Sequence, residues 1–208
     1  MNAPRITVRT LGRAGVLGAL FCAAAAVSWA WIPPARPGVA FHKQSERFGD
    51  VVLTTQHGRP LRFYRDLVRD RTVIINLMYT SCTDFCPAAT AELAQVNELL
   101  GERVGRDIAM VSLSIDPVTD TPAKLKAYWE AFGSKPGWLF LTGSPADIER
   151  LRRQLGGYDL DPTIDADPEQ HAGIVTVGND RTNRWAALPL WMDRRQLAAT
   201  ILRVAGSG

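Results

Sequence analysis

Two cysteines four residues apart, Cys82 and Cys86, stand at the end of an apolar run and directly ahead of a proline, in Tyr79-Thr80-Ser81-Cys82-Thr83-Asp84-Phe85-Cys86-Pro87. A thiol pair of this kind can exchange with a disulfide or, as thiolates, hold a soft metal ion. Asp84 lies between the two, where a carboxylate can tune a thiol's pKa, meet a partner or cap a helix. Three histidines could add an imidazole: His42, His57 and His171. His42 falls in a linker region and His57 in a hairpin turn, where solvated polar side chains are expected. His171 directly precedes the apolar run Ala172-Gly173-Ile174-Val175-Thr176-Val177 and follows Glu169 and Gln170. On its own it reads equally as a surface histidine and as a site residue.

The elements that must position these groups are legible in the patterning. Residues 73–79 are almost continuously apolar and partly β-branched, as a strand buried on both faces should be. Ala89, Leu93, Val96 and Leu100 then recur at helical spacing, which predicts a helix over about 87–100. Both cysteines thus belong to a strand-to-helix turn, where the helix N-terminus stabilises an anion and lowers a thiol's pKa. A hairpin is expected over 51–63 around Gln56-His57-Gly58-Arg59, and a second long strand over 108–115. Thr121-Pro122 and Ser144-Pro145 pair a capping hydroxyl with proline at the first helical position, starting helices that stop at Gly133 and at Gly156-Gly157. Short strands are predicted at 138–141, 172–177 and 183–187, with a closing helix over 193–204. The class is α/β, with helices on both faces of a sheet. A strand–Cys–helix unit followed by a β-β-α tail is the thioredoxin plan, here with an N-terminal hairpin.

Composition narrows the setting. The 208 residues suffice for one sizeable domain plus an appendage, and the formal charge of +3 with no basic stripe argues against a nucleic-acid partner. Arg5, Arg9 and Arg13 precede every acidic residue, and residues 15–32 carry no charge. That stretch would make about 27 Å of helix at ~1.5 Å per residue, just enough to span a bilayer core. The expected organisation is a basic cytoplasmic N-terminus (1–14), a transmembrane anchor or a cleaved signal segment (15–32), a proline-rich linker (33–47) and a folded domain (48–205). Either form of the apolar segment exports the domain to the periplasm or an equivalent space, where disulfides persist. Cys22, inside the apolar run, reads as a small membrane-helix residue.

The motifs Tyr79-Thr80-x-Cys82-x-Asp84-x-Cys86-Pro87, Asp116-Pro117-x-x-Asp120-Thr121-Pro122 and Leu141-Thr142-Gly143-Ser144, with His171 ahead of an apolar strand, resemble the Sco/SenC family. The resemblance runs from about Phe48 to Val204. It implies a membrane-anchored thioredoxin-fold copper protein that helps assemble the dinuclear copper centre of cytochrome c oxidase. It implies one copper per chain, held by Cys82, Cys86 and His171, and a partner that is the copper-bearing oxidase subunit or another exported copper or thiol protein. Two soft thiolates and one imidazole suit Cu(I), and three ligands leave a position open for hand-over. Helical i,i+4 spacing would set the two cysteine Cβ atoms about 5–6 Å apart, against ~3.8 Å in a disulfide, a gap that a bridging metal tolerates. Without metal the same pair is expected to form a reversible disulfide. Thr83 replaces a proline common in the family, and Gln170 replaces a common aspartate. Asp120 reads as structural. The competing function is a thiol–disulfide oxidoreductase that uses Cys82 and Cys86 without His171.

Overall fold

The computed structural model describes residues 43–167 and 173–206. The chain divides into two compact units, residues 1–41 and 42–208, and all described residues lie in the second. Its strands are β1 (Val52–Thr55), β2 (Pro60–Arg62), β3 (Thr72–Met78), β4 (Ile108–Ser114), β5 (Trp138–Gly143), β6 (Ile174–Asn179) and β7 (Arg184–Pro189). Its helices are α1 (Phe85–Leu100), α2 (Pro122–Ala131), α3 (Pro145–Gln154), the single turn α4 (Pro162–Asp165) and α5 (Arg194–Ala205).

One seven-stranded sheet runs in the order β2-β1-β5-β4-β3-β6-β7. β3, β4 and β5 are parallel, and the flanking pairs are antiparallel. The uninterrupted apolar runs of β3 and β4 have their explanation here, since alternate residues enter two separate cores. Ile74 and Met78 of β3 meet Leu93 and Val96 of α1 and Ile201 of α5 on one face. Val73 and Ile75 meet Ile148 and Leu151 of α3, with Phe63 and Leu67, on the other. Both Thr-Pro and Ser-Pro starts behave as expected: Thr121 Oγ1 accepts from Lys124 N–H at 3.4 Å, and Ser144 Oγ from Asp147 N–H at 3.2 Å.

Two boundaries differ from the sequence expectation. Residues 43–47, expected as linker, belong to the fold, because Gln44–Phe48 forms a 3₁₀ turn whose Ser45 and Phe48 are fully buried. Phe63 is not the end of β2. It opens a helical turn over Phe63–Val68 and packs edge-on to Phe48 at 5.5 Å, so burial of its ring overrides its strand propensity.

Gly178 of β6 faces Trp185 of β7, and a Cβ placed there would come within 2.3 Å of the indole ring. That ring also lies 5.4 Å from Phe48, so the glycine lets the aromatic cover the sheet and join the second core. Gly178→Val should lift the indole and destabilise the domain by about 1–3 kcal/mol, seen as a lower urea midpoint with altered near-UV dichroism. An unchanged midpoint would contradict this packing.

Candidate metal centre

The chain leaves β3 at Met78 and turns through residues 79–84 into α1. Asp120 fixes this turn. It is fully buried, and its carboxylate accepts from the Thr80 N–H at 3.1 and 3.2 Å, from the Thr80 hydroxyl, and from the Ser114 hydroxyl at 2.6 Å. Every one of these partners donates, as a buried carboxylate requires. The ends of β3 and β4 are further joined by Ile115 N–H to Met78 O at 2.9 Å. Asp120 is itself held by a turn in which its N–H reaches Asp116 O at 2.9 Å, just ahead of the Thr121 cap.

Cys82 precedes the helix, and its N–H points at Tyr79 O, 3.4 Å away. Its Sγ accepts from the Cys86 N–H at 3.1 Å. Asp84 occupies the helix-capping position, but its carboxylate makes no capping bond, and the sulfur takes that role. The pair therefore faces each other across a helix terminus, and the side-by-side geometry of helical i,i+4 neighbours does not apply. Both cysteines are free thiols, 9% and 4% exposed.

Their environments split their acidities, where the sequence suggested that both would be lowered. Burial works to raise Cys82, but the N–H of Cys86, its thiol, and the N–H groups of Phe85 and Asp84 outweigh it and bring Cys82 below its ordinary value. Burial pushes Cys86 up to about 12 despite a backbone bond with Tyr79, and the charges of Cys82 and Asp120 add to the rise. Of the two, Cys82 is thus the first thiolate and Cys86 the proton holder.

Beneath the pair, Thr90 Oγ1 donates to Cys86 O at 2.7 Å and lies 3.1 Å from Tyr128 Oη. Burial pushes the Tyr128 phenol up to about 12, against the Thr90 hydrogen bond. Beside the pair, the Phe85 ring stands edge-on to Trp191 at 5.0 Å. Gly173, with φ 108°, leaves room for both: a Cβ there would lie 3.3 Å from Phe85 and 3.5 Å from Trp191 Nε1. The start of β6 is thereby held against the residue that sits between the cysteines.

His171 and Gln170 lie outside the described residues, as do His42, Cys22 and the apolar segment 15–32. Among the described residues no third metal-binding side chain groups with the thiols, and no helix is long and apolar enough to cross a membrane. His57 is exposed in its hairpin turn, as expected, with its ring edge-on to Trp129 at 5.1 Å. The parts that sequence reasoning missed are Phe85, Trp191, Thr90 and Tyr128. Thr90 alone carried a signal, standing one helical turn after Cys86 on the buried face of α1.

A sheet with a dithiol at a central strand–helix turn and a β-β-α close defines a thioredoxin-like domain. The family model described as SCO1/SenC matches residues 42–205, and the chain belongs to that family. A SCO2-like protein of Rickettsia felis is 34% identical over 61% of this chain and 63% of its own length, so the chain spans under two thirds of such curated relatives. Among solved structures, Bradyrhizobium japonicum ScoI with copper bound is 26% identical, with a TM-score of 0.59, and covers 75% of this chain and 98% of that one. BsSco, described with a disulfide switch and as a member of the Sco family of cytochrome c oxidase assembly proteins, is 18% identical with a TM-score of 0.58. The match covers 74% of this chain and 90% of that one, a likeness of fold.

At neutral pH an alkylating agent should modify Cys82 well before Cys86, as peptide mapping of partly labelled chain would show; the reverse order would contradict the assigned acidities. Stability should also depend on pH with a definite sign. The folded chain keeps protons on Cys86 and Tyr128 that the unfolded chain releases near their ordinary values of 9.0 and 10.0. The stability of the reduced, metal-free chain should therefore fall as pH rises through that range toward about 12. Urea midpoints measured across alkaline pH check it, and a flat profile would count against it.

Proposed function

We propose that this chain is an exported copper-binding protein that delivers copper to the dinuclear copper site of cytochrome c oxidase during assembly. One ion per chain is bound by Cys82, Cys86 and His171. The observation that carries this reading is the pair of buried thiols facing each other at a helix N-terminus, one of them already below its ordinary pKa. Two sulfurs of this kind fit a soft ion, Cu(I) above all. Loading releases the Cys86 proton, because only the thiolate ligates, so the metal must offset the burial that raises this thiol. Gly173, packed on Phe85, supports the third ligand, since His171 is two residues ahead of it in the chain. The copper-bound Bradyrhizobium relative and the oxidase-assembly description of BsSco support copper and oxidase assembly as the context. Gln170 cannot supply the carboxylate that would orient the imidazole, a contact worth roughly 10–100-fold in metal affinity elsewhere. Residues 15–32 are the proposed membrane anchor, with the domain on the extracytoplasmic side.

The split acidity of the pair supports a second activity at the same site, thiol–disulfide exchange. Cys82 thiolate attacks a partner disulfide and forms a mixed disulfide. Cys86, losing its proton, then displaces the partner's sulfur, leaving a Cys82–Cys86 disulfide and a reduced partner dithiol. The disulfide switch described for BsSco is consistent with such a pair.

Competition of the reduced full chain with a Cu(I) chelator separates the two roles. Wild type should bind one copper, and Cys82→Ser or Cys86→Ser should abolish tight binding. His171→Ala should weaken binding by at least about tenfold while leaving metal-free disulfide reduction largely intact. Full copper stoichiometry in either serine variant would overturn the site, and unchanged affinity in His171→Ala would leave the exchange reaction as the function.

A further inference from the structure

Most of the large apolar side chains that the fold leaves in water collect at one end. Val118, Tyr158, Leu160, Ile164, Ile174 and Trp191 are six of the eight that are exposed among the described residues. Val118 lies in the turn 116–120, whose Asp120 bonds Thr80 in the cysteine turn. Tyr158, Ile164 and Ile174 line a cleft of about 240 Å³ with Leu77, next to last in β3, and Leu160 belongs to the same loop. Trp191 follows β7 and stands against Phe85. All six thus lie where β3 and β4 end and β6 begins, the end at which the chain turns through the cysteines. Charges of both signs border it, exposed Asp84 and Asp159 with exposed Lys124 and Arg195, and Arg194 is paired with Glu92 at 3.0 Å. Apolar area rather than net charge distinguishes this end.

Trp191 is tied to the dithiol by two contacts. Its ring is edge-on to Phe85 at 5.0 Å, and the Phe85 N–H is among those that face the Cys82 sulfur. The backbone on either side of Trp191 is pinned: Leu190 N–H donates to Gly173 O at 2.8 Å, and Met192 N–H to Pro189 O at 3.4 Å. The indole is nevertheless 51% exposed. A tryptophan held in place with half its surface in water suits a recognition anchor, since its ordering is complete before a partner arrives. Cys82, by contrast, is almost buried. A disulfide sulfur can reach its thiolate only if the residues beside the attacked cysteine lie on the surrounding surface. In an extended partner, residues two places either way fall within about 7 Å of that cysteine. The surface they meet includes the Phe85–Trp191 pair.

We propose that Trp191 is the docking anchor for the cysteine-bearing segment of the partner protein, and that it selects partners with an aliphatic or aromatic side chain beside the attacked cysteine. The inference rests on the reading of Cys82 as an attacking thiolate. As the Cys82 sulfur bonds to one partner sulfur, the partner's other sulfur leaves as thiolate, and the flanking apolar side chain leaves water against the indole in the same step. An apolar neighbour therefore lowers the barrier to exchange, whereas a polar one gains nothing there.

The test uses two synthetic peptides, each closed by one disulfide, that differ only in having Leu and Phe or Ser and Asn beside the cysteines. Their reduction by the full chain, reduced and metal-free in mild detergent, is timed and divided by the rate of each peptide with dithiothreitol, which removes intrinsic differences. Wild type should favour the apolar peptide by roughly tenfold. Trp191→Ala should bring that ratio to within about twofold of unity by slowing the apolar peptide alone. Trp191→Phe should keep most of the preference, and Leu99→Ser, near the far end of α1, should leave it intact. Reduction of neither peptide overturns the exchange reading and this inference with it. A wild-type ratio near unity leaves exchange standing and overturns the anchor, and that comparison needs no variant. Equal slowing of both peptides by Trp191→Ala, with Trp191→Phe no better than the alanine, would mark a structural residue and overturn the anchor as well. A reduced chain that sediments as a dimer, and as a monomer in Trp191→Ala, would give the patch to a second copy and overturn the partner assignment.

Discussion

Asp120 is a fully buried carboxyl group, and the thiol site hangs on how it is satisfied. Its carboxylate takes hydrogen bonds from the Thr80 N–H and hydroxyl in the cysteine turn and from Ser114 at the end of β4. A buried carboxylate lacking such donors costs several kcal/mol, so the turn and the two central strands are locked in register by the need to keep it paired. The lock sets the direction in which the chain leaves β3, and with it where Cys82 meets the first N–H groups of α1. Asp120 touches neither sulfur in the contacts described. Its influence runs through Thr80 and through its charge, which helps to keep Cys86 protonated.

From that constraint follows an asymmetric dithiol. Cys82 caps the helix with its sulfur and is stabilised as an anion. Cys86, one turn inside, is buried and holds its proton. In the proposed copper site a metal would find one ligand ready and would have to displace a proton to gain the second, which would couple loading to pH. The same asymmetry supplies an attacking thiolate and a resolving thiol. The proposed copper binding and the proposed disulfide exchange would thus be two uses of one local electrostatic arrangement, and an imidazole from the chain ahead of β6 is what would favour metal.

Much of this was legible in the sequence because the relevant patterns are local. The apolar runs of β3 and β4, the Thr121-Pro122 and Ser144-Pro145 starts, and the position of the cysteines between strand and helix each depend on a few neighbouring residues. What escaped depends on contacts between distant segments. Asp120 reads as structural from its place before Thr121-Pro122, but its partner Thr80, 40 residues earlier, is not in the local pattern. Phe85 meets Trp191 and Gly173 only once β6, β7 and α1 are assembled. The split of the two thiol acidities was also out of reach, since helix position alone would lower both and only burial separates them. Phe63 shows the reverse case, a residue of good strand propensity turned into a helical turn by the core it fills.

The central claim, that one copper is held by Cys82, Cys86 and His171, is tested most directly by X-ray absorption at the copper edge on the loaded full chain. Two sulfur scatterers and one imidazole nitrogen per copper are the predicted first coordination sphere, with the nitrogen lost in His171→Ala. A sphere of sulfur alone that is unchanged by that substitution, or one with a single sulfur, would contradict it.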